Sequence, residues 1–335
     1  MNFDIITGPT AKRVIDDDRS AIVKIVEAAY LAHSSGQAVN PRSYFLRFPE
    51  KPDARIIALP AFLSERETAG IKWISSFPAN VEKNLARASS VLILNDYITG
   101  YPFACIESSY ISAARTAASA ILAAEHVLGS KAAERVLFVG GGVIARTIAD
   151  FLDDQRWAIA TCEVLDLNEG YAQKLAAHIR RGGGTATVAT DWAAAVGRAD
   201  LVVLATTAAR PWLTDPGWLR PGQCILNISL RDLAPEVILA AYNIVDDVDH
   251  CLTANTSPHL AEQAAGHRGF IDGTVADLIL GRVKVGAAKP LIFSPFGLGV
   301  LDLAVGAHVH QVASRQGSVI PVPDFFGQTT RWSDS

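Results

Sequence analysis

Three consecutive glycines follow a short apolar run in "RVLFVGGGVIARTIADFL", residues 135–152. Gly140, Gly142 and Ala145 fit G-x-G-x-x-A. Between a strand and a helix, the first glycine of this pattern permits a tight turn. The second lets backbone amides approach a pyrophosphate, and the small third residue lets helix and strand pack closely. The helix start at Val143 and Ile144 offers its amides and dipole to the phosphates. Asp166 closes the next strand pattern, "CEVLDL", at the distance where a carboxylate meets ribose hydroxyls. A carboxylate there suits NAD and repels the 2′-phosphate of NADP. NAD is therefore the expected cofactor, with Arg180 and Arg181 as the groups that would accommodate NADP instead. Thr206 and Thr207, in "LATTAAR", end a later strand. They either leave room for the cofactor or cap a helix.

The elements that must position these residues alternate. "RVLFVG", "CEVLDL", "TATVA", "DLVVLATT", "QCILNIS" and "NIVDD" read as buried strands. Helical patterns "VIARTIADFLDD", "EGYAQKLAAHIRRG" and "DWAAAVGRA", the last started by Asp191, lie between the first four. Apolar strands separated by helices predict a doubly wound parallel α/β sheet of the Rossmann kind over residues 131–299. The first 130 residues read differently. A helix, "RSAIVKIVEAAYLAHSSG", precedes "RSYFLRFP", "RIIALPAFL", "GIKWISSF" and "SVLILNDYITGYPFACIES", extended pieces punctuated by Gly and Pro. An Ala-rich helix, "SAARTAASAILAAEHVLG", leads into the nucleotide domain, and "GVLDLAVGAHVHQVASRQG" is a terminal helix. Residues 1–130 with 300–335 are thus expected to form a mixed α+β domain into which the nucleotide domain is inserted.

Composition narrows the class. The chain has 335 residues, half of them hydrophobic and 19% charged, enough for two cores. A net charge of −4 gives no electrostatic reason to expect nucleic acid or an anionic membrane. No apolar run approaches the ~18 residues that span a bilayer. Cys105, Cys162, Cys224 and Cys251 are far apart, which argues against zinc or a disulfide framework and for a reducing cytoplasm. His250, in "DDVDHC", lacks a second well-spaced ligand, so no metal is expected. His33, His126, His308 and His310 fall in helical patterns and read as surface or packing residues, Trp73, Phe77 and Phe296 as core or pocket wall. Glu107, in "CIESSY", is a lesser candidate for the pocket.

Three segments go further: "GIKWISSFP", "ISAARTAASA" and "NISLRDLAPEV". Together they resemble the ornithine cyclodeaminase/mu-crystallin family. "NPRSYFLRFP", "DDVDHCLTANTSPHLAEQ" and "SPFGLGVLDLA" are similar to one branch of it. That branch uses NAD to cleave N-(2-amino-2-carboxyethyl)-L-glutamate into 2-oxoglutarate and L-2,3-diaminopropionate, for siderophores such as staphyloferrin B and for some peptide antibiotics. The resemblance implies that Arg42, Lys72 and Arg115 bind substrate carboxylates and that Asp232 is catalytic. It also implies a homodimer paired through the first domain's sheet, with which the apolar "SVLILNDYI" is compatible. Around the aspartate, ornithine cyclodeaminases carry roughly A-D-x-P-G-K-x-E-L, whereas this chain has "LRDLAPEVI". The departure weakens ornithine as the substrate.

The implied chemistry asks for these residue types. Arginine pins a carboxylate bidentately and lysine adds a point charge. Lys72 therefore enters both as a substrate-binding and as a catalytic candidate. Asp232 would be the base for the water that hydrolyses an imine; its alternative is a helix cap before "LAPEV". The competing expectations are a cyclodeaminase or ketimine reductase, in which NAD(P) is not consumed or runs in reverse, and a non-catalytic small-molecule-binding protein like mu-crystallin.

Overall fold

The computed structural model describes residues 3–327. It divides into two compact units, one of residues up to Arg115 together with those from Leu298 on, the other Thr116–Gly297.

The first unit contains β1 (Phe3–Ile6), α1 (Gly8–Asp17), α2 (Arg19–Ser34), β2 (Ala38–Val39), β3 (Tyr44–Phe48), β4 (Lys51–Leu63), β5 (Thr68–Ser76), β6 (Ala88–Asp96) and β7 (Pro102–Glu107). The helix α3 (Ser109–Leu128) follows. The last elements, α11 (Gly299–Arg315) and β16 (Ile320–Val322), complete this unit after the intervening α4–α10 and β8–β15 of the second unit, defined below. The sheet order is β16-β1-β7-β6-β5-β4-β2, with β3 on β4, antiparallel except for the β1–β7 pair.

Alternation along β5 sorts its residues. Lys72 is 2% exposed while its neighbour Trp73 is 43% exposed. Lys72 pairs with Leu59 and Leu92, both buried, on the face that α11 covers. The approach of α11 is close: a Cβ on Gly306 would sit 2.0 Å from a Leu92 methyl, so a larger residue there would have to push Leu92 aside. The N-terminal half of α11 is buried on all sides and carries one acid, Asp302, in its first turn. Trp73 lies on the opposite face, half exposed, rather than in a core or pocket wall.

The second unit runs β8 (Ala132–Val139), α4 (Val143–Asp154), β9 (Ala158–Leu165), α5 (Glu169–Arg181), β10 (Ala186–Val188), α6 (Trp192–Arg198), β11 (Leu201–Leu204), β12 (Cys224–Asn227), α7 (Pro235–Leu239), β13 (Tyr242–Val245), α8 (Val248–Cys251), α9 (Ser257–Ala265), β14 (Gly273–Thr274), α10 (Val275–Ile279) and β15 (Leu291–Ser294). Its eight strands are all parallel, in the order β10-β9-β8-β11-β12-β15-β13-β14. All four residues of β11, β12 and β15 are buried, as strands covered on both faces must be. Asn168 and Asp191 cap α5 and α6 through their side chains. The direction of winding reverses between β8 and β11, which is where such sheets hold ligands.

The sequence reading places the inserted domain at 131–299; the two compact units meet instead at Arg115/Thr116, inside α3. The helix is continuous there, with no Gly or Pro to mark a break. No helix among the described residues is long and apolar enough to cross a membrane.

Candidate active site

In the second unit, the glycine turn joins β8 to α4 at the reversal point. Gly140 has φ +99°, and a Cβ there would lie 2.6 Å from the Ala205 carbonyl oxygen at the end of β11. Only glycine fits this approach. Its N–H donates to the Leu165 carbonyl at 2.7 Å, fastening the turn to β9. Gly142 is the N-cap of α4, with no side chain capping it and open space where a Cβ would project. The first amides of α4, at Val143 and Ile144, therefore face a position that an anion fits. Ala145 is fully buried, as the close helix–strand packing needs.

Asp166 follows β9 and is fixed from both sides. Its Oδ2 accepts from Gly141 N–H at 2.7 Å, its Oδ1 from Asn168 N–H at 2.8 Å. Each oxygen keeps a lone pair for a ribose hydroxyl. Arg180, one of the two cations that would favour NADP, is engaged elsewhere, donating to the Ala186 carbonyl at 2.7 Å. The turn, the uncapped helix and the anchored carboxylate together fit NAD.

Thr206 and Thr207 begin no helix, so the capping alternative falls away. Thr206 Oγ1 donates to Asp232 Oδ1 and accepts from Ala208 N–H at 3.1 Å. Thr207 is exposed. Asp232 is fully buried. It does not cap α7 either; Ala234 holds that position. Its backbone carbonyl accepts from Trp212 and Leu213 N–H, each at 3.0 Å, beside a parallel bridge between Leu213 and Leu233. Burial raises its pKa above the ordinary carboxylate value, against hydrogen bonding from Thr206, Ser229 and Trp212. Only the Thr206 bond has ordinary hydrogen-bond geometry; Oδ2 makes none of that geometry among the described residues.

Asp246 supplies the contrast. It is also buried, with a raised pKa, but its carboxylate accepts three backbone N–H groups, from Asp247 (2.9 Å), Phe296 (3.0 Å) and Gly297 (2.6 Å). Asp246 is a satisfied structural clamp. Asp232 has one buried oxygen without a hydrogen bond of ordinary geometry among the described residues.

The first unit assembles the cations. Lys72 Nζ donates to Asp302 Oδ2 at 2.6 Å, with both side chains buried. Arg115 Nε lies 3.4 Å from Asp302 Oδ1. Ser112 Oγ is 3.4 Å from both Lys72 Nζ and Arg115 Nη2. One carboxylate thus serves two cations, and the cluster keeps a positive charge in a dry setting. Burial lowers the Lys72 pKa to about 8; Asp302 opposes the shift and Arg115 adds to it. Asp302 did not stand out in the sequence, although a lone acid inside the apolar run "GVLDLAVGA" implies a buried partner.

Other candidates sit apart. Arg42 lies exposed in the loop between β2 and β3, without an ion pair among the described residues. Glu107 pairs with Val91 on the sheet face opposite Lys72, and its Oε1 accepts Ser109 N–H at 3.0 Å at the start of α3. His250 is hydrogen-bonded to Asp247 at 2.9 Å within α8. Phe77 packs on Phe48.

The model of the ornithine cyclodeaminase/mu-crystallin family matches residues 12–317. The chain belongs to that family. Among its relatives, the N-((2S)-2-amino-2-carboxyethyl)-L-glutamate dehydrogenase of Staphylococcus aureus is 30% identical over 305 residues, covering 88% of this chain and 90% of the relative. The alanine dehydrogenase of Archaeoglobus fulgidus is 27% identical, over 93% of this chain and 96% of its own length. An archaeal alanine dehydrogenase, solved as a dimer with bound NAD, superimposes with a TM-score of 0.86 at 25% identity, covering 97% of this chain and all of that one. For this family member, the residues from the sequence reading divide between the units: Gly140, Gly142, Val143, Ile144, Asp166, Thr206, Thr207 and Asp232 in the second, Arg42, Lys72 and Arg115 in the first.

Proposed function

We propose that this protein oxidises the C–N bond of N-(2-amino-2-carboxyethyl)-L-glutamate and hydrolyses the product to 2-oxoglutarate and L-2,3-diaminopropionate, supplying a siderophore or peptide-antibiotic precursor. It is an NAD-dependent oxidoreductase of the kind that acts on CH–NH donors. The observation that carries the substrate class is the buried, net-positive Lys72–Asp302–Arg115 cluster, which suits a carboxylate. The named substrate rests on the staphylococcal relative.

The glycine turn, the start of α4 and Asp166 would hold NAD. When bound, NAD supplies the hydride acceptor. Lys72 and Arg115 pin the substrate carboxylate, and Arg42 provides a further cation from its loop. Fixing the carboxylate fixes where the Cα–H points, a positioning effect on the order of several kcal/mol. Asp232 takes the proton from the hydrolytic water, Thr206 holding one carboxylate oxygen so that the other does the work. The departure of "LRDLAPEVI" from the cyclodeaminase pattern favours net oxidation over ammonia loss.

The test mixes purified protein with NAD and N-(2-amino-2-carboxyethyl)-L-glutamate, with L-ornithine in parallel, following NADH absorbance and product mass. NADH, 2-oxoglutarate and diaminopropionate from the first mixture alone are expected. Proline and ammonia from ornithine, without net NADH, would move the protein to the cyclodeaminases.

We also propose a cytoplasmic homodimer. All four cysteines are unpaired, as in a reducing compartment, and burial pushes the Cys162 and Cys224 thiols up to about 11 and about 12, leaving them inert. The sheet face opposite Lys72 carries the row Tyr44, Ala58, Trp73 and Val91 across four strands, with Tyr44 70% exposed. Such a patch marks an interface. Trp73→Glu with Val91→Glu should convert a dimer into a monomer in sedimentation velocity; an unchanged dimer would place the interface elsewhere.

A further inference from the structure

The sheet face that carries Lys72 continues away from it along β5. Residues 72, 74 and 76 point to the same side, and Ser76 stands roughly 13 Å from Lys72 by strand rise. Across the ladder, Ile74 pairs with Ile57 and Ser90, while Ser76 pairs with Arg55 and Ala88. Cross-strand partners share a face. Beyond Lys72 there is thus an apolar step, Ile74 and Ile57, both half-buried, followed by a polar step at Ser76. Arg87, just before β6, donates from Nη1 to Ser76 Oγ at 3.0 Å. Arg55 joins this step from β4 as a second, half-buried arginine.

Arg87 has no carboxylate within ion-pair distance among the described residues; its partner is a neutral hydroxyl. It is partly buried, and burial lowers its pKa from the ordinary arginine value, as expected for a guanidinium whose counter-charge is absent. A half-desolvated guanidinium with its fork largely unused is suited to a carboxylate. The order along the face is cation, two isoleucines, cation. That is the pattern of a chain with a carboxylate at each end and methylenes between.

We propose that Arg87, oriented by Ser76 and seconded by Arg55, binds the far carboxylate of a dicarboxylic substrate whose α-carboxylate lies at Lys72 and Arg115, and so selects glutamate-type over monocarboxylic side chains. The inference rests on the proposed reaction: it assigns the γ-carboxylate of the glutamyl moiety. The methylenes lie over Ile74 and Ile57. Arg87 is a binding residue and takes no part in the chemical steps.

The experiment compares N-(2-amino-2-carboxyethyl)-L-glutamate with its γ-amide, the glutamine counterpart, in wild type, Arg87→Gln and Arg87→Lys. Wild type should favour the acid by on the order of a hundredfold in kcat/KM, because the amide leaves the buried guanidinium without its charge partner. In Arg87→Gln that preference should collapse through loss on the acid alone, and Arg87→Lys should restore part of it. Equal losses on acid and amide would show a mere staple between β5 and β6 and overturn the inference. So would a wild type that turns over both equally, which leaves the proposed reaction standing. A second arm needs no turnover: tryptophan fluorescence of the NADH-loaded enzyme titrated with 2-oxoglutarate and with 2-oxobutyrate. Preference for 2-oxoglutarate, lost in Arg87→Gln, supports the subsite even if the named amine proves not to be a substrate. Equal affinity for the two oxo acids overturns it.

Discussion

Replacing Asp232 by Asn is expected to lower kcat roughly a hundredfold to ten-thousandfold, the range associated with loss of a general base, while NADH affinity is unchanged. The amide retains the shape and the bond from Thr206 but cannot accept a proton. Burial raises the Asp232 pKa, so the base form appears only as pH climbs above the ordinary carboxylate range. The acid limb of the wild-type rate profile should therefore lie above that range. The same shift fixes a stability effect of opposite sign to the activity. With the folded-state pKa above the unfolded one, the stabilising contribution is complete at pH below the unfolded value and is lost as pH rises through the folded value. At neutral pH the native state holds a buried carboxylate that the unfolded chain would solvate. Asp232→Asn should consequently melt above wild type at pH 7, with the gap closing toward about pH 3. Steady-state rates, NADH fluorescence titration and melting curves on one preparation check all three. Turnover equal to wild type would remove Asp232 from the mechanism.

The sites were unequally legible in the sequence because they rest on unequal physics. The glycine turn is local. Its residues are consecutive, its strand and helix adjoin it, and α4 spans the residues that the apolar spacing of "VIARTIADFLDD" implies. Caps are local too, and Asp191 starts α6 as its side chain suggests. The cation cluster is not local: Lys72 and Asp302 are 230 residues apart and meet because α11 returns to the first sheet. Their types could be noticed, but their pairing depended on topology. Strand β15, inserted between β12 and β13, was missed for the same reason, since "LIFS" has no local feature that sets its place in the order. The helix α1 begins with Gly8 and Pro9 and has no place in the sequence reading, although proline is well suited to a first helical turn. Arg87 lies in a polar connection without periodicity, and only its hydrogen bond to Ser76 shows which face it serves.

Removing Asp302 should cost more stability than any other single change in the cation cluster. Asp302→Ala leaves Lys72 and Arg115 adjacent, buried and without their shared counter-charge. Breaking a buried pair from one side typically costs about 3–5 kcal/mol, because the remaining charge stays desolvated. Replacing all three members by apolar residues of similar size avoids that penalty. Lys72→Met with Asp302→Leu and Arg115→Met should therefore regain most of the stability in chemical denaturation and none of the turnover. That split separates a pair kept for function from one kept for folding. The pH profile provides the second check. Lys72 titrates at about 8 in the free protein, so the ammonium that meets the carboxylate is lost as pH rises through that value. kcat/KM should fall above about pH 8, whereas a bound carboxylate favours the charged form and moves the limb on kcat to higher pH. Because the folded pKa lies below the ordinary lysine value of 10.5, stability should rise, not fall, between about 8 and 10.5, as the native state sheds a proton that the unfolded chain retains. An alkaline fall in kcat/KM that persists unchanged in Lys72→Arg would assign the limb to another group and free Lys72 from the role of carboxylate anchor.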